Sequence, residues 1–126
     1  MSFESVARLA TNSIELSVVG TKDIQIAERF VAEAMRLLNE WPSIHDVALP
    51  KLRRKLSVKE KKALDLHKCR PSGLIIMTDS YGNRENSYYE FIVELTKIGV
   101  LEDGRSAVIS GLLSTKAISV ELSGFE

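Results

Sequence analysis

The sequence predicts an α+β fold: a small mixed β-sheet packed against three or so helices, with a single layer of helices on one face. Three observations lead there. Segments with a two-residue apolar period are interspersed with segments of three- to four-residue period. Several helix stripes and one-sided strands must bury their apolar faces against each other, and helices stacked on one sheet are the simplest arrangement that does so. The chain's 126 residues, 44% apolar and 27% charged, fit one domain spanning 1–126, with no repeat, low-complexity tract or long linker to divide it. A chain of this size buries about two-thirds of its unfolded surface, so neither disulfide nor metal is needed for stability.

In order, Ser13–Val19 alternates Ile14, Leu16 and Val18 with Ser13, Glu15 and Ser17, the pattern of a half-buried strand closed by Gly20. A helix is predicted from about Asp23 to Trp41. Ala27, Phe30, Val31, Ala34, Leu37, Leu38 and Trp41 form its apolar stripe, Thr21 or Asp23 caps it, and Pro42 stops it. Trp41 extends the stripe and is expected to pack in the core. Pro42–Pro50 reads as a connector with a short extended piece at Ile44–Leu49. Leu49, Leu52 and Leu56 then fall at helical intervals around Arg53, Arg54 and Lys55, a short basic amphipathic turn.

Ser57 and Glu60 have the S-x-x-E spacing of a capping box and start a second helix, with Ala63, Leu64 and His67 inward and Lys61, Lys62 and Lys68 outward. After Pro71, Ser72 and Gly73, the run Leu74–Thr78 is continuously apolar up to its threonine, as in a central strand covered on both faces. A polar loop, 79–86, leads to a helix predicted from Ser87. Ser87 and Glu90 repeat the capping spacing, Tyr88, Phe91, Ile92, Leu95 and Ile98 form the stripe, and Gly99 follows. Glu102–Arg105 is a turn signal, and the segment from Ser106 to Leu113 fits a strand or a short helix equally. Ile118, Val120 and Leu122 alternate with Ser119, Glu121 and Ser123 in a terminal strand.

The net charge of zero conceals strong segregation. Between Lys51 and Arg70 stand nine bases (Lys51, Arg53, Arg54, Lys55, Lys59, Lys61, Lys62, Lys68 and Arg70) against Glu60 and Asp65. That is a local charge of +7, leaving eight bases against fifteen acids elsewhere. Such a segment attracts an oppositely charged partner. The expected function is therefore non-enzymatic: an accessory, adaptor or inhibitor subunit that contacts a protein partner through Lys51, Arg53, Arg54, Lys55, Lys59, Lys61, Lys62 and Lys68. The alternative use of the same residues is nucleic-acid binding through phosphates, with affinity that falls as salt rises. An aromatic content of 6% leaves few rings for stacking bases.

A winged-helix version of that alternative would make the 88–98 segment the recognition helix and 106–123 its wing. The segment carries Glu90 and Glu94 against Lys97, and no short turn joins it to a preceding helix, so both charge and spacing oppose it. A second alternative is a small enzyme using the 79–86 strand-to-helix loop, with Asp79, Asn83 and Arg84 as its ligand-facing residues. That loop matches neither the dinucleotide nor the P-loop glycine pattern, nor a calcium loop.

His45 and His67 are far apart in sequence, His67 and the single cysteine, Cys69, are two residues apart, and no metal or cofactor is implied. No apolar run approaches the ~20 residues of a membrane span. The first thirteen residues lack a basic leader with an apolar h-region, so the reading is a cytoplasmic protein without membrane attachment. Charge segregation and the edge of the final strand leave homo-oligomerisation open.

Overall fold

The computed structural model describes residues 2–9, 12–65, 70–95 and 106–123. Six strands, β1 (Ser2–Leu9), β2 (Asn12–Val19), β3 (Gly73–Met77), β4 (Tyr88–Glu94), β5 (Ser106–Leu112) and β6 (Ser119–Ser123), lie side by side in sequence order. β2 and β3 are parallel, with Leu16 beside Leu74 and Val18 beside Ile76, and every other neighbouring pair is antiparallel. A parallel pair needs a long crossover. Here that crossover holds the three α-helices of the described residues: α1 (Ile24–Asn39), α2 (Trp41–Arg53) and α3 (Val58–Asp65).

The α+β architecture is thus as the sequence predicts, and the buried side chains show why. On β2 to β6, Ile14, Leu16, Val18, Leu74, Ile76, Tyr89, Phe91, Val93, Ala107, Ile109 and Val120 are buried and fall in register on one face. They form one core with Ala27, Phe30, Ala34, Leu37 and Leu38 of α1 and with Trp41, Ile44, Ala48 and Leu52 of α2. Trp41 is buried as expected, its ring 5.0 Å from that of Phe91.

α1 begins at Asp23, whose Oδ1 accepts from the Gln25 backbone N–H at 2.8 Å. The Ser57–Glu60 capping box is present in both directions: Ser57 N–H donates to Glu60 Oε1 at 2.8 Å and Glu60 N–H to Ser57 Oγ at 3.2 Å. His67, Lys68, Cys69, Gly99 and the Glu102–Arg105 turn lie outside the described residues, as does Ile98.

Four expectations are corrected. Pro42–Pro50 is no connector. Helix α1 ends at Glu40, and Pro42 sits in the first turn of α2, where its missing N–H has no partner to lose. Pro50 lies inside α2, near the C-terminal end. The segment after Ser87 is strand β4 and not a helix; its burial alternates, with Tyr89, Phe91 and Val93 inward. β3 is central but covered on one face, since Leu74 and Ile76 are buried while Ile75 and Met77 on the other face are half-buried. β1, which the sequence analysis left without structure, pairs with β2 along its whole length.

Candidate functional site

Residues 51–65 of the basic segment fold into one corner. Lys51 and Arg53 lie in the last turn of α2, where cations complement the negative end of the helix dipole. Arg54 and Lys55 form the turn, fastened by Lys55 N–H to the Leu52 carbonyl at 2.9 Å and Leu56 N–H to the Arg53 carbonyl at 3.2 Å. Lys59, Lys61 and Lys62 follow on α3. Beneath them Leu52, Leu56 and Leu64 are buried, which fixes the corner to the core.

Not every base of the run is available. The Lys51 ammonium donates to the Ile118 carbonyl and ties α2 to the start of β6. Arg53 and Arg70 have interactions of their own. Arg54, Lys55, Lys59 and Lys62 are exposed and Lys61 half-exposed, and none of the five forms an ion pair with a described residue. Glu60, the acid among them, is held in the capping box. Val58, 70% exposed, lies on α3 beside Lys59.

The loop of Asp79, Asn83 and Arg84 joins strand to strand, so no α-helix N-terminus faces it, and its polar groups bind each other. Asp79 Oδ1 accepts from the backbone N–H of Asn83 at 2.8 Å and of Tyr81 at 3.2 Å, and Oδ2 accepts from Asn86 Nδ2 at 3.0 Å. Ser87 Oγ, fully buried, donates to the Asn83 carbonyl at 2.7 Å. Helix α1 pins the loop from outside through Arg29 Nη2 to the Gly82 carbonyl at 3.2 Å and Glu33 Oε1 to Arg84 Nε at 3.0 Å.

The backbone N–H of Asn83, followed by the Asn86 side chain, holds the Asp79 carboxyl below its ordinary value of 3.8. A carboxylate whose folded pKa is depressed stabilises the fold above its unfolded value, and that contribution is lost as pH falls through the folded pKa. Wild type should therefore melt at higher temperature than Asp79→Ala near neutral pH, with the gap closing as pH drops below 3.8. Melting curves across the acid range check this; a gap independent of pH would show that the carboxylate charge is not what holds the loop.

A cleft of about 560 Å³ opens where the α1–α2 junction faces the β5–β6 connection. Leu37, Ile44, Tyr89, Leu113 and Ile118 line its apolar part. Arg36, Glu40, Arg84 and Lys116 supply its charges. Arg36 is held on both sides, by Glu33 Oε2 at 2.7 Å and Glu40 Oε2 at 2.8 Å. Burial pushes the Glu33 carboxyl up, but the hydrogen bonds from Arg36 and Arg84 outweigh it and leave it below the ordinary range. The Tyr89 phenol is raised, first by burial and then by the Glu40 charge.

Sequence reasoning missed this cleft because its walls come from distant segments and because a helical reading of 88–98 leaves Tyr89 off the apolar stripe. His45 lies beside Trp41, ring centroids 5.8 Å apart, and among the described residues no group of three His, Cys, Asp or Glu converges as a metal site. No helix among them is long and apolar enough to cross a membrane. Comparison with protein-family models, curated proteins and solved structures finds no match to this chain.

Proposed function

We propose that this chain is a non-enzymatic binding protein, an accessory or inhibitor subunit whose α2–α3 corner docks on an acidic protein surface. The observation that carries the reading is the cluster of Arg54, Lys55, Lys59, Lys61 and Lys62, none paired with a described carboxylate. Stability does not ask for it. Lys59 lies in the first turn of α3, at the positive end of that helix's dipole, where a cation is unfavourable, and neighbouring like charges repel. Local rules broken without a structural gain are characteristic of functional surfaces. Val58 adds an exposed apolar contact within the charged set, and no residue from 51 to 65 is aromatic and able to stack on bases, which favours a protein over single-stranded nucleic acid.

The test compares wild type with R54E/K55E/K59E/K62E and with Val58→Asp. Affinity capture from cells that make the protein should retain a partner on wild type and lose it on both variants, the charge reversal acting chiefly on the association rate. Fluorescence polarisation with labelled duplex DNA, single-stranded DNA and RNA across salt concentrations is the counter-test. Salt-sensitive binding lost in the quadruple variant would replace the protein partner with nucleic acid. A partner retained equally by all three proteins would remove the corner as a binding surface.

A further inference from the structure

The cleft beside the α1–α2 junction is separate from the basic corner and has the composition of a ligand site. Its 560 Å³ falls in the range of small-molecule pockets, which pair apolar walls with a few converging polar groups. Tyr89 is 5% exposed and lines it, with no hydrogen bond from its hydroxyl to a described residue. No fully buried side-chain polar atom among the described residues lacks a partner, so this hydroxyl is open to solvent and free to meet a ligand. The ring packs edge-on against Phe91 at 5.7 Å and lies over Gly111, where a Cβ would stand 2.9 Å from the tyrosine oxygen. Gly111 therefore leaves room for the Tyr89 ring and hydroxyl.

The charges select the sign of a ligand. Three cations, Arg36, Arg84 and Lys116, stand against two carboxylates, Glu40, which holds Arg36, and Glu33, which holds both Arg36 and Arg84, so the balance stays positive. Arg84 spends Nε on Glu33, leaving its two terminal nitrogens without a described hydrogen bond, and Lys116 has no ion pair with a described residue. The unused groups are thus cationic donors at the rim and a hydroxyl donor at the floor. A cationic ligand would be repelled, and an uncharged apolar one would gain nothing from these exposed donors.

We infer that the cleft binds a small organic acid, its carboxylate met by Arg84 and Lys116 and its compact apolar body lying on Leu37, Ile44 and Leu113 beside the Tyr89 hydroxyl. The inference does not depend on the corner. Amide NMR titration at low salt with hydrocinnamate, and separately with its neutral amide, tests it. The acid should give saturable shifts at Ile44, Tyr89, Leu113 and Lys116 and bind roughly tenfold more tightly than the amide, since one charge-assisted contact is worth about that factor. Arg84→Gln or Lys116→Gln should erase the preference for the acid. Ser114→Trp, at an exposed wall position, should abolish binding of both while the melting temperature is kept. R54E/K55E/K59E/K62E should leave the titration unchanged. Equal binding of acid and amide, or an acid preference that survives both glutamine variants, would overturn the recognition of an anion. Absence of saturable shifts with either compound would overturn the site.

Discussion

Replacing Gly20 with alanine should destabilise the protein by about 2–5 kcal/mol, a large part of the ~5–15 kcal/mol that holds a domain together. Gly20 follows β2 with φ of +100°, a conformation that L side chains rarely adopt. A left-handed backbone costs a non-glycine residue about 1–2 kcal/mol. The larger problem is contact: a Cβ at this position would stand 1.9 Å from the Thr78 carbonyl oxygen. That oxygen belongs to the backbone just beyond β3, where Thr78 N–H donates to the Val19 carbonyl at 3.0 Å. The two parallel strand ends must therefore part, adding roughly 1–3 kcal/mol of overpacking. Urea denaturation checks the value, with Gly73→Ala as its control. At Gly73 the nearest atom to an added Cβ is 3.7 Å away and φ is not positive, so that change should be close to neutral. Gly20→Ala within about 1 kcal/mol of wild type would mean that the β2–β3 ends do not approach so closely.

What the sequence shows of the fold is what local signals carry. Ile14, Leu16 and Val18 alternate with polar neighbours on a strand with one face in the core, and the α1 stripe and the Ser57–Glu60 cap recur in the structure because each depends only on residues a few positions apart. The same locality misleads at α2. Pro42 and Pro50 read as terminators, yet Trp41, Ile44, Ala48 and Leu52 already stand at three- and four-residue steps, and all four are buried. A proline in the first turn starts a helix, and one near its end removes a single hydrogen bond, so the stripe outweighs both. The parallel pairing of β2 with β3 is a different matter, because nothing near either strand encodes the other. It becomes visible only once helices α1 to α3 are known to carry the chain back across the sheet.

The candidate sites divide in the same way. The basic corner is readable as a charge run because its residues are contiguous, whereas folding decides which of them stay available. Lys51 is taken by the Ile118 carbonyl, 67 positions away, and Glu60 by its own helix cap. The polar loop after β3 illustrates the converse. Asp79, Asn83 and Arg84 look like one ligand-binding group in sequence, but the first two bond to each other, while the third pairs with Glu33 on α1 and lines the cleft instead. The cleft joins side chains from α1, α2, the 79–87 loop, β4 and the β5–β6 connection, so no spacing in the chain announces it.

Truncating Phe91 to alanine should cost about 3–5 kcal/mol, the usual range for a buried aromatic that leaves a cavity. Phe91 has no exposed surface, stands opposite Leu74 and Ile109 on the neighbouring strands, and stacks on both Trp41 and Tyr89. Its loss would open the centre of the helix–sheet interface and leave the Trp41 ring without its floor. The neighbouring positions make the test discriminating. If 88–94 were a helix carrying the stripe of Tyr88, Phe91, Ile92 and Leu95, Ile92→Ala would be severe and Val93→Ala mild. As strand β4, the order reverses, because Val93 is 1% exposed on the core face while Ile92 is half-buried on the opposite one. Chemical denaturation of the three variants should therefore rank the losses Phe91→Ala, then Val93→Ala, then Ile92→Ala. A larger loss at Ile92 than at Val93 would turn the strand over and with it every side chain of β4, including the Tyr89 hydroxyl in the cleft. The stability series thus tests the placement of the ligand site without any ligand being present.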